Sequence, residues 1–373
     1  HQVYHSAPVA FAMSVQYPEV DVQIMVSDSR QMDIVRRIAR KWPNHRCRIS
    51  AAYVPKWAHI LDKLLGKFVF IRKWAVLRAN RGFFKTLDVL VVPEENSLAL
   101  KKLPALKDLK MVFIRHGAGD THIGFDNRQN QFDLNLVAGE KIFNRLVEEV
   151  GLPPEKIRII GYPKFDALSH QQHKVIFSNN NPTVIYNPHF RRCWSSYQTW
   201  GREVLEFFKN NPQYNLILAP HVILHLRKWR HGALDLTPYK NCENIHIDKG
   251  SDQSIDMTYI RQADIYLGDV SSQVYEFLTT PRPCVFLNAH GLDWREKNFL
   301  NFWAGGQVLD DISQLEEALE NAENAHTHDY KKIQLELFNE TFSLTDTPSS
   351  YRAAHAIMAA FGPQKALEDQ HTA

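Results

Sequence analysis

Ala263-Asp264-Ile265-Tyr266-Leu267-Gly268-Asp269-Val270-Ser271-Ser272-Gln273-Val274-Tyr275-Glu276-Phe277-Leu278 reads as a short buried strand that breaks into a small polar turn and then opens a helix. Strand, turn and helix in that order form one unit of a parallel sheet. Ser271 and Ser272 stand where the first free backbone N–H groups of the helix point outward, a setting that suits an anionic ligand. Glu276 follows about one turn further along the same face, within reach of a ribose hydroxyl. The plain alternative is a capped helix, with serine at the N-cap and a glutamate in its first turns.

The same unit recurs on both sides of this stretch. Toward the N-terminus, β-branched runs at 21–25, 87–92, 110–114 and 134–138 read as strands separated by helical patterns, and Arg158-Ile159-Ile160-Gly161-Tyr162-Pro163 closes another strand. Residues 169–182 are polar, rich in Asn, Gln and His, and without a period, which marks a linker. A second series follows, with strands at 183–186, 215–219, 245–247, 265–267 and 284–287 and helices at 199–210, 256–261 and 272–278. Residues 312–325 and 330–342 are helical by pattern, and a last helix near 349–361 is placed to cross back onto the first domain. The expected fold is therefore α/β and GT-B-like, two Rossmann-like βαβ domains facing across a cleft. Their expected bounds are 1–170 for an acceptor-side domain and 183–345 for a nucleotide-donor domain, with 346–373 forming the returning helix and tail.

Length and composition agree with this division, because 373 residues exceed one ordinary core and suit two. With 44% hydrophobic residues, 23% charged residues and a formal charge of +3, the chain has the balance of an ordinary folded protein and no overall charge argument for nucleic acid. Cys47, Cys193, Cys242 and Cys284 are scattered without a CxxC pair, which argues against a zinc site or a disulfide framework and points to a reducing cytoplasm. No apolar run approaches the roughly 20 residues needed to span a bilayer. The chain opens at His1 without a signal-peptide pattern and is expected to lack its native start.

Local charge is more informative. Lys56, Lys63, Lys67, Arg72, Lys73, Arg78, Arg81 and Lys85 face a single acid, Asp62, and alternate with Trp57, Phe68, Phe70, Trp74, Phe83 and Phe84. Leu61, Leu64, Leu65, Phe68, Ile71 and Trp74 recur at helical spacing, so residues 56–85 suit an anionic membrane surface, peripheral on the cytoplasmic face of the inner membrane, or an anionic polymer. A core helix with a solvated basic face is the plain alternative.

Two histidines stand at strand ends. After Met111-Val112-Phe113-Ile114 comes Arg115-His116-Gly117-Ala118-Gly119-Asp120, where an imidazole could take a proton from an attacking hydroxyl while Gly117 and Gly119 permit close backbone approach. Leu218-Ala219-Pro220-His221 repeats the arrangement, and His221 could donate to a phosphate oxygen, with His225 and His231 as rivals. Val184-Ile185-Tyr186-Asn187-Pro188-His189-Phe190-Arg191-Arg192 puts a guanidinium pair, Arg191 and Arg192, just past a third strand end, where it could grip a diphosphate. Metal-ligand spacings, a P-loop and a GxGxxG fingerprint are absent from the sequence, so metal-independent chemistry is expected.

Together these residues resemble the CDP-glycerol glycerophosphotransferase family, of the teichoic-acid polymerase type, and more loosely the GT-B glycosyltransferases and UDP-GlcNAc 2-epimerases. The resemblance spans about 88–319. It rests on His116-Gly117, Gly161-Tyr162-Pro163-Lys164-Phe165-Asp166, Tyr186-Asn187-Pro188 with Phe190-Arg191, His221, and Asp269-Val270-Ser271-Ser272 with Glu276. It implies that His116 is the general base, that His221 is a catalytic phosphate contact, that Ser271 and Ser272 hold the donor diphosphate, and that Glu276 holds the ribose. Gly117, Arg191 and Asp269 join the donor-binding set.

The family loop usually runs His-Gly-Thr-Pro-Leu-Lys, whereas this chain lacks the proline and the lysine, and the family aspartate is here Glu276. The transferred group is therefore open between a CDP-linked polyol and a nucleotide sugar. The expected activity is transfer of a phospho-polyol or glycosyl group from a CDP- or UDP-linked donor to a hydroxyl of a cell-envelope glycan or lipid-linked acceptor, with no other cofactor, metal or nucleic-acid partner. A UDP-GlcNAc 2-epimerase-like enzyme and a silent polyanion-binding scaffold are the alternatives.

Overall fold

The computed structural model describes residues 2–58, 71–120, 124–169, 174–221, 224 and 234–363. The chain divides into two compact units, one drawn from 1–116, 123–170 and 340–373, the other from 117–122 and 171–339. The loop that starts at Gly117 thus goes with the second unit, although the strand before it belongs to the first.

In the first unit β1 (Gln23–Val26) pairs with β2 (Arg48–Ala51), and β3 (Val89–Val92), β4 (Lys110–Ile114), β5 (Leu134–Val137) and β6 (Ile157–Ile159) form a separate four-stranded sheet in that order. All pairings are parallel. Strand β4 shows why both faces must be covered. Val112 and Ile114 enter a core with Val9, Ala12, Met13, Ala354, Ile357 and Met358, whereas Met111 and Phe113 enter another with Leu98, Leu106 and Phe132. The first of these cores joins the helix Val3–Gln16 to the helix Ser349–Phe361, so elements from opposite ends of the sequence pack together.

The Gly161-Tyr162-Pro163-Lys164-Phe165-Asp166 segment ties that last helix down. The Tyr162 N–H donates to Ser349 Oγ at 2.8 Å, and the Ser350 N–H donates to Asp166 Oδ2 at 2.6 Å, which caps the helix start. Gly161 has φ +83°, and a Cβ there would lie 2.3 Å from Ser349 Oγ, so glycine is required by both conformation and space.

The second unit has one six-stranded sheet ordered β12-β11-β10-β7-β8-β9, again parallel throughout. Its strands are β7 (Thr183–Asn187), β8 (Asn215–Leu218), β9 (Ile245–Ile247), β10 (Ile265–Gly268), β11 (Cys284–Leu287) and β12 (Gln307–Leu309). Val184, Tyr186, Leu216, Leu218, Ile265 and Leu267 send alternate side chains to one face, where Val204, Leu205 and Phe208 of the helix Gly201–Asn210 cover them. Among the described residues no helix is long and apolar enough to cross a membrane.

Candidate active site

Strand β7 comes first in the second unit yet lies at the middle of its sheet. The chain runs outward through β8 and β9, returns to β10 beside β7, and runs outward the other way through β11 and β12. Such a reversal leaves a crevice at the carboxyl ends of the two central strands, the usual ligand position in open α/β sheets. Asn187 ends β7 and Gly268-Asp269-Val270-Ser271 leaves β10, so the stretch that decides the fold lies at this crevice.

Buried polar groups lace the two strand ends together. Ser271 Oγ donates to Asn187 Oδ1 at 2.6 Å and accepts from the Gln273 N–H at 3.3 Å, while Asn187 Nδ2 donates to the Ala219 carbonyl at 2.7 Å. Asp269, expected among the donor-holding residues, has a different part. It is fully buried, and its two oxygens accept from the His189 and Val270 N–H groups and from the N–H and Oγ–H of Ser196, all at 2.7–2.8 Å. With both oxygens engaged, Asp269 shapes the loop 188–197 and offers a ligand nothing directly. Burial pushes its carboxyl up to about 6 against the pull of those hydrogen bonds, so it is ionised at neutral pH.

The helix after the turn, Gln273–Phe277, has five residues. Its end charge is correspondingly small, and because Ser271 Oγ spends its proton on Asn187, the expected anion setting rests on the exposed Ser272 hydroxyl and on backbone N–H groups rather than on a long helix dipole. Ser272 is the N-cap residue, but its side chain makes no capping bond and is exposed; Glu276 is buried.

His221 lies past β8 with its N–H on the Pro188 carbonyl at 3.1 Å. Its ring packs 4.8 Å from Phe190, and the Arg191 guanidinium lies 4.9 Å above the Trp194 ring. Exposed Arg191 is thus steered by an aromatic shelf, as a guanidinium presented to solvent requires. Burial lowers His221 to about 4, and burial with the nearby His221 and Arg191 lowers His189 to about 3, so both are neutral. His225 and His231 lie outside the described residues, as do 59–70 of the basic segment and Thr121.

Sequence reasoning missed how the loop after His116 docks. A Cβ at Gly119 would come within 3.0 Å of Ser272 Cβ, whereas one at Gly117 would meet nothing within 4 Å, so close approach explains Gly119 but not Gly117. Tyr275 Oη donates to the buried Asp120 carboxylate. An acid replacing an apolar residue of the family loop was the available signal.

In the first unit, His116 leaves the carboxyl end of β4 and donates from Nδ1 to the carbonyl of Pro93, just past the neighbouring β3, at 2.7 Å. That bond fixes the tautomer and makes Nε2 the basic nitrogen. Burial is the main cause lowering its pKa to about 4, with the Arg115 and Lys73 cations adding to it and the bond to Pro93 opposing. His5 lies beside it, ring centroids 6.4 Å apart, and is itself buried and neutral. Nothing in the spacing of the sequence links His5 to position 116.

No curated protein sequence matches this one. Among solved structures, a histidine-to-alanine variant of the wall teichoic acid polymerase TagF superposes with a TM-score of 0.62 and 16% identity, over 94% of this chain and 93% of that one. A TagF variant soaked with CDPG gives 0.60 and 16%, over 97% and 94%. UDP-GlcNAc 2-epimerase from Neisseria meningitidis, bound to UDP-GlcNAc, gives 0.57 and 13%, over 96% of each chain. Likeness at such low identity shows a shared GT-B type fold. The family model for CDP-glycerol:poly(glycerophosphate) glycerophosphotransferase matches residues 90–359, from β3 into the last helix. With most of its length matched, the chain belongs to the CDP-glycerol:poly(glycerophosphate) glycerophosphotransferase family and is a transferase of GT-B type.

Proposed function

We propose that this enzyme transfers a glycerophosphate or closely related phospho-polyol unit from a CDP-linked donor to a hydroxyl of a growing cell-envelope polymer. The observation that carries the reading is His116, a neutral imidazole whose Nδ1–H is held by the Pro93 carbonyl so that Nε2 is the proton acceptor. In the proposed step the acceptor hydroxyl gives its proton to His116 Nε2, its oxygen bonds to the donor's polyol-bearing phosphorus, and the bond from that phosphorus to the bridging oxygen breaks. CMP leaves with the electron pair. Negative charge brought by the donor favours the imidazolium and raises the basicity of His116 from its low resting value. His221, Arg191 and the Ser271–Ser272 turn stabilise the phosphates, and Glu276 takes a ribose hydroxyl.

The family match and the CDPG-soaked TagF support the cytidine donor. The fold it shares with a UDP-GlcNAc-bound epimerase keeps a UDP-sugar reaction as the second reading. A metal-free thermal-shift series with CDP, CMP, UDP, UMP, GDP and ADP separates them, because a ligand that binds only the folded state raises its stability. The expected result is stabilisation by CMP and CDP that is lost in the Ser271→Ala, Glu276→Ala double variant. A UDP preference would favour the sugar donor, and no shift with any nucleotide would overturn both.

At the membrane, Trp57 is 47% and Trp74 53% exposed, with Lys56, Arg78, Arg81 and Lys85 exposed around them, which supports reversible contact with an anionic leaflet.

A further inference from the structure

His5, in the first turn of the helix Val3–Gln16, is 2% exposed, and its Nδ1 is shielded from solvent with no hydrogen-bond partner among the described residues. An unpaired ring nitrogen destabilises a core, and a phenylalanine would fill the same space without that cost. A polar group kept in such a place calls for a partner that arrives.

The surroundings say where it arrives. The His5 ring stands edge-on to His116, centroids 6.4 Å apart at 67°, and edge-on to Tyr162, 4.8 Å apart at 72°. Tyr162 packs in turn on Phe165 at 4.9 Å and Phe342 at 4.7 Å, so the wall behind His5 is fixed. A direct N–H···N bond would draw two imidazole centroids to about 5 Å. At 6.4 Å His5 does not bond His116, and the separation suits oxygen atoms of one molecule lying against both rings, each about 2.8 Å from its nitrogen.

Charge narrows the chemistry of that molecule. His5 is kept neutral by burial, with the nearby Lys164 and His116 adding to it. A neutral imidazole carries one N–H and one bare nitrogen, and a hydroxyl serves either, accepting from the first or donating to the second. An ammonium would meet the Lys164 charge. A polyol carries hydroxyls on neighbouring carbons, so that one faces His116 while the next faces His5.

We propose that His5 is an acceptor-binding residue: its Nδ1 hydrogen-bonds the hydroxyl on the carbon next to the one whose oxygen His116 deprotonates. This rests on the transferase reading above and adds to it a contact that selects a vicinal diol.

The full chain tests it with CDP-glycerol and two acceptors, a glycerophosphate oligomer and the same oligomer lacking the secondary hydroxyl of its terminal glycerol. CMP release gives kcat/KM on each, and titration with CMP gives donor affinity. The parent is expected to prefer the intact acceptor about tenfold, a comparison that needs no variant. His5→Phe is expected to lose that factor on the intact acceptor alone with CMP affinity unchanged, and His5→Asn, which keeps a polar group where Nδ1 lies, to recover part of it. A parent without the preference overturns the assignment. So does a His5→Phe variant that keeps the preference, or one that weakens equally on both acceptors, which would make His5 a packing residue. A parent that binds no CMP, or releases none from CDP-glycerol, overturns the transferase reading and this contact with it.

Discussion

Ser271 Oγ and Asn187 Oδ1 meet at 2.6 Å, joining the carboxyl ends of β10 and β7 where the direction of the sheet reverses. Asn187→Ala removes the acceptor for Ser271 and the donor for Ala219, so equilibrium unfolding in urea should show a loss of about 2 kcal/mol together with weakened nucleotide binding. Ser272→Ala, which alters an exposed hydroxyl, should leave stability within about 0.5 kcal/mol. Equal losses in the two variants would contradict the bridging role of Asn187.

His116→Ala should lower turnover by roughly 10² to 10⁴ with little change in donor affinity, as expected for a general base. Release of CMP from a CDP-linked polyol measures turnover, and titration with CMP measures affinity. Near-normal turnover would remove His116 from the mechanism.

Stability should decline on acidification from pH 6.5. His116, His189 and His221 are held neutral with pKa values of about 4, 3 and 4, against an ordinary 6.5 in the unfolded chain. Below 6.5 the unfolded chain binds protons that the folded one refuses, so their contribution is complete above that pH and lost as it falls toward 4, and toward 3 for His189. Asp269 acts in the opposite sense, because a carboxyl raised to about 6 binds its proton more readily when folded and adds stability between pH 6 and 4. Three histidines outweigh one carboxyl, and urea unfolding at pH 7, 6, 5 and 4.5 that showed rising stability would contradict this balance.

Gly161→Ala should lower stability by about 2 kcal/mol or more, from the left-handed backbone and the collision with Ser349. Removing the Ser349 hydroxyl as well should not restore it, since the Ser343 carbonyl would lie 2.9 Å from the same Cβ. Thermal unfolding of the single and double variants checks both statements.

The chain should sediment with vesicles containing anionic lipid and not with neutral ones, and Trp57→Ala with Trp74→Ala should reduce that binding. Equal partitioning to both vesicle types would argue against a charged membrane surface as the partner.

Most strands were legible because β-branched runs buried on both faces announce themselves; those at 110–114, 245–247 and 284–287 match their expected bounds. The helix Val3–Gln16 was not. It buries Tyr4, His5, Ala7, Pro8, Val9, Phe11, Ala12 and Met13 around most of its circumference and carries Pro8 inside, so it shows no amphipathic stripe. Strand β2 is largely exposed and β12 has three residues, too little signal for a pattern.

In the candidate site, residue types place His116, His221 and the Ser271–Ser272 turn just past strand ends, where β4, β8 and β10 put them. The sequence could not distinguish a carboxylate that meets a ligand from one consumed by backbone N–H groups, which is why Asp269 was placed among the binding residues. Nor could it show the Asp120–Tyr275 bond or the place of His5 beside His116, both of which depend on residues far apart in the chain.

The pairing of the helices Val3–Gln16 and Ser349–Phe361 in one core sets the order in which this polypeptide becomes complete on the ribosome. The second sheet has all its strands once Leu309 has emerged, whereas the sheet made first must wait for the last helix to be synthesised. Until then Val112, Ile114, Leu134 and Leu136 lack part of their apolar cover, and the nascent chain carries a half-covered sheet through most of its translation.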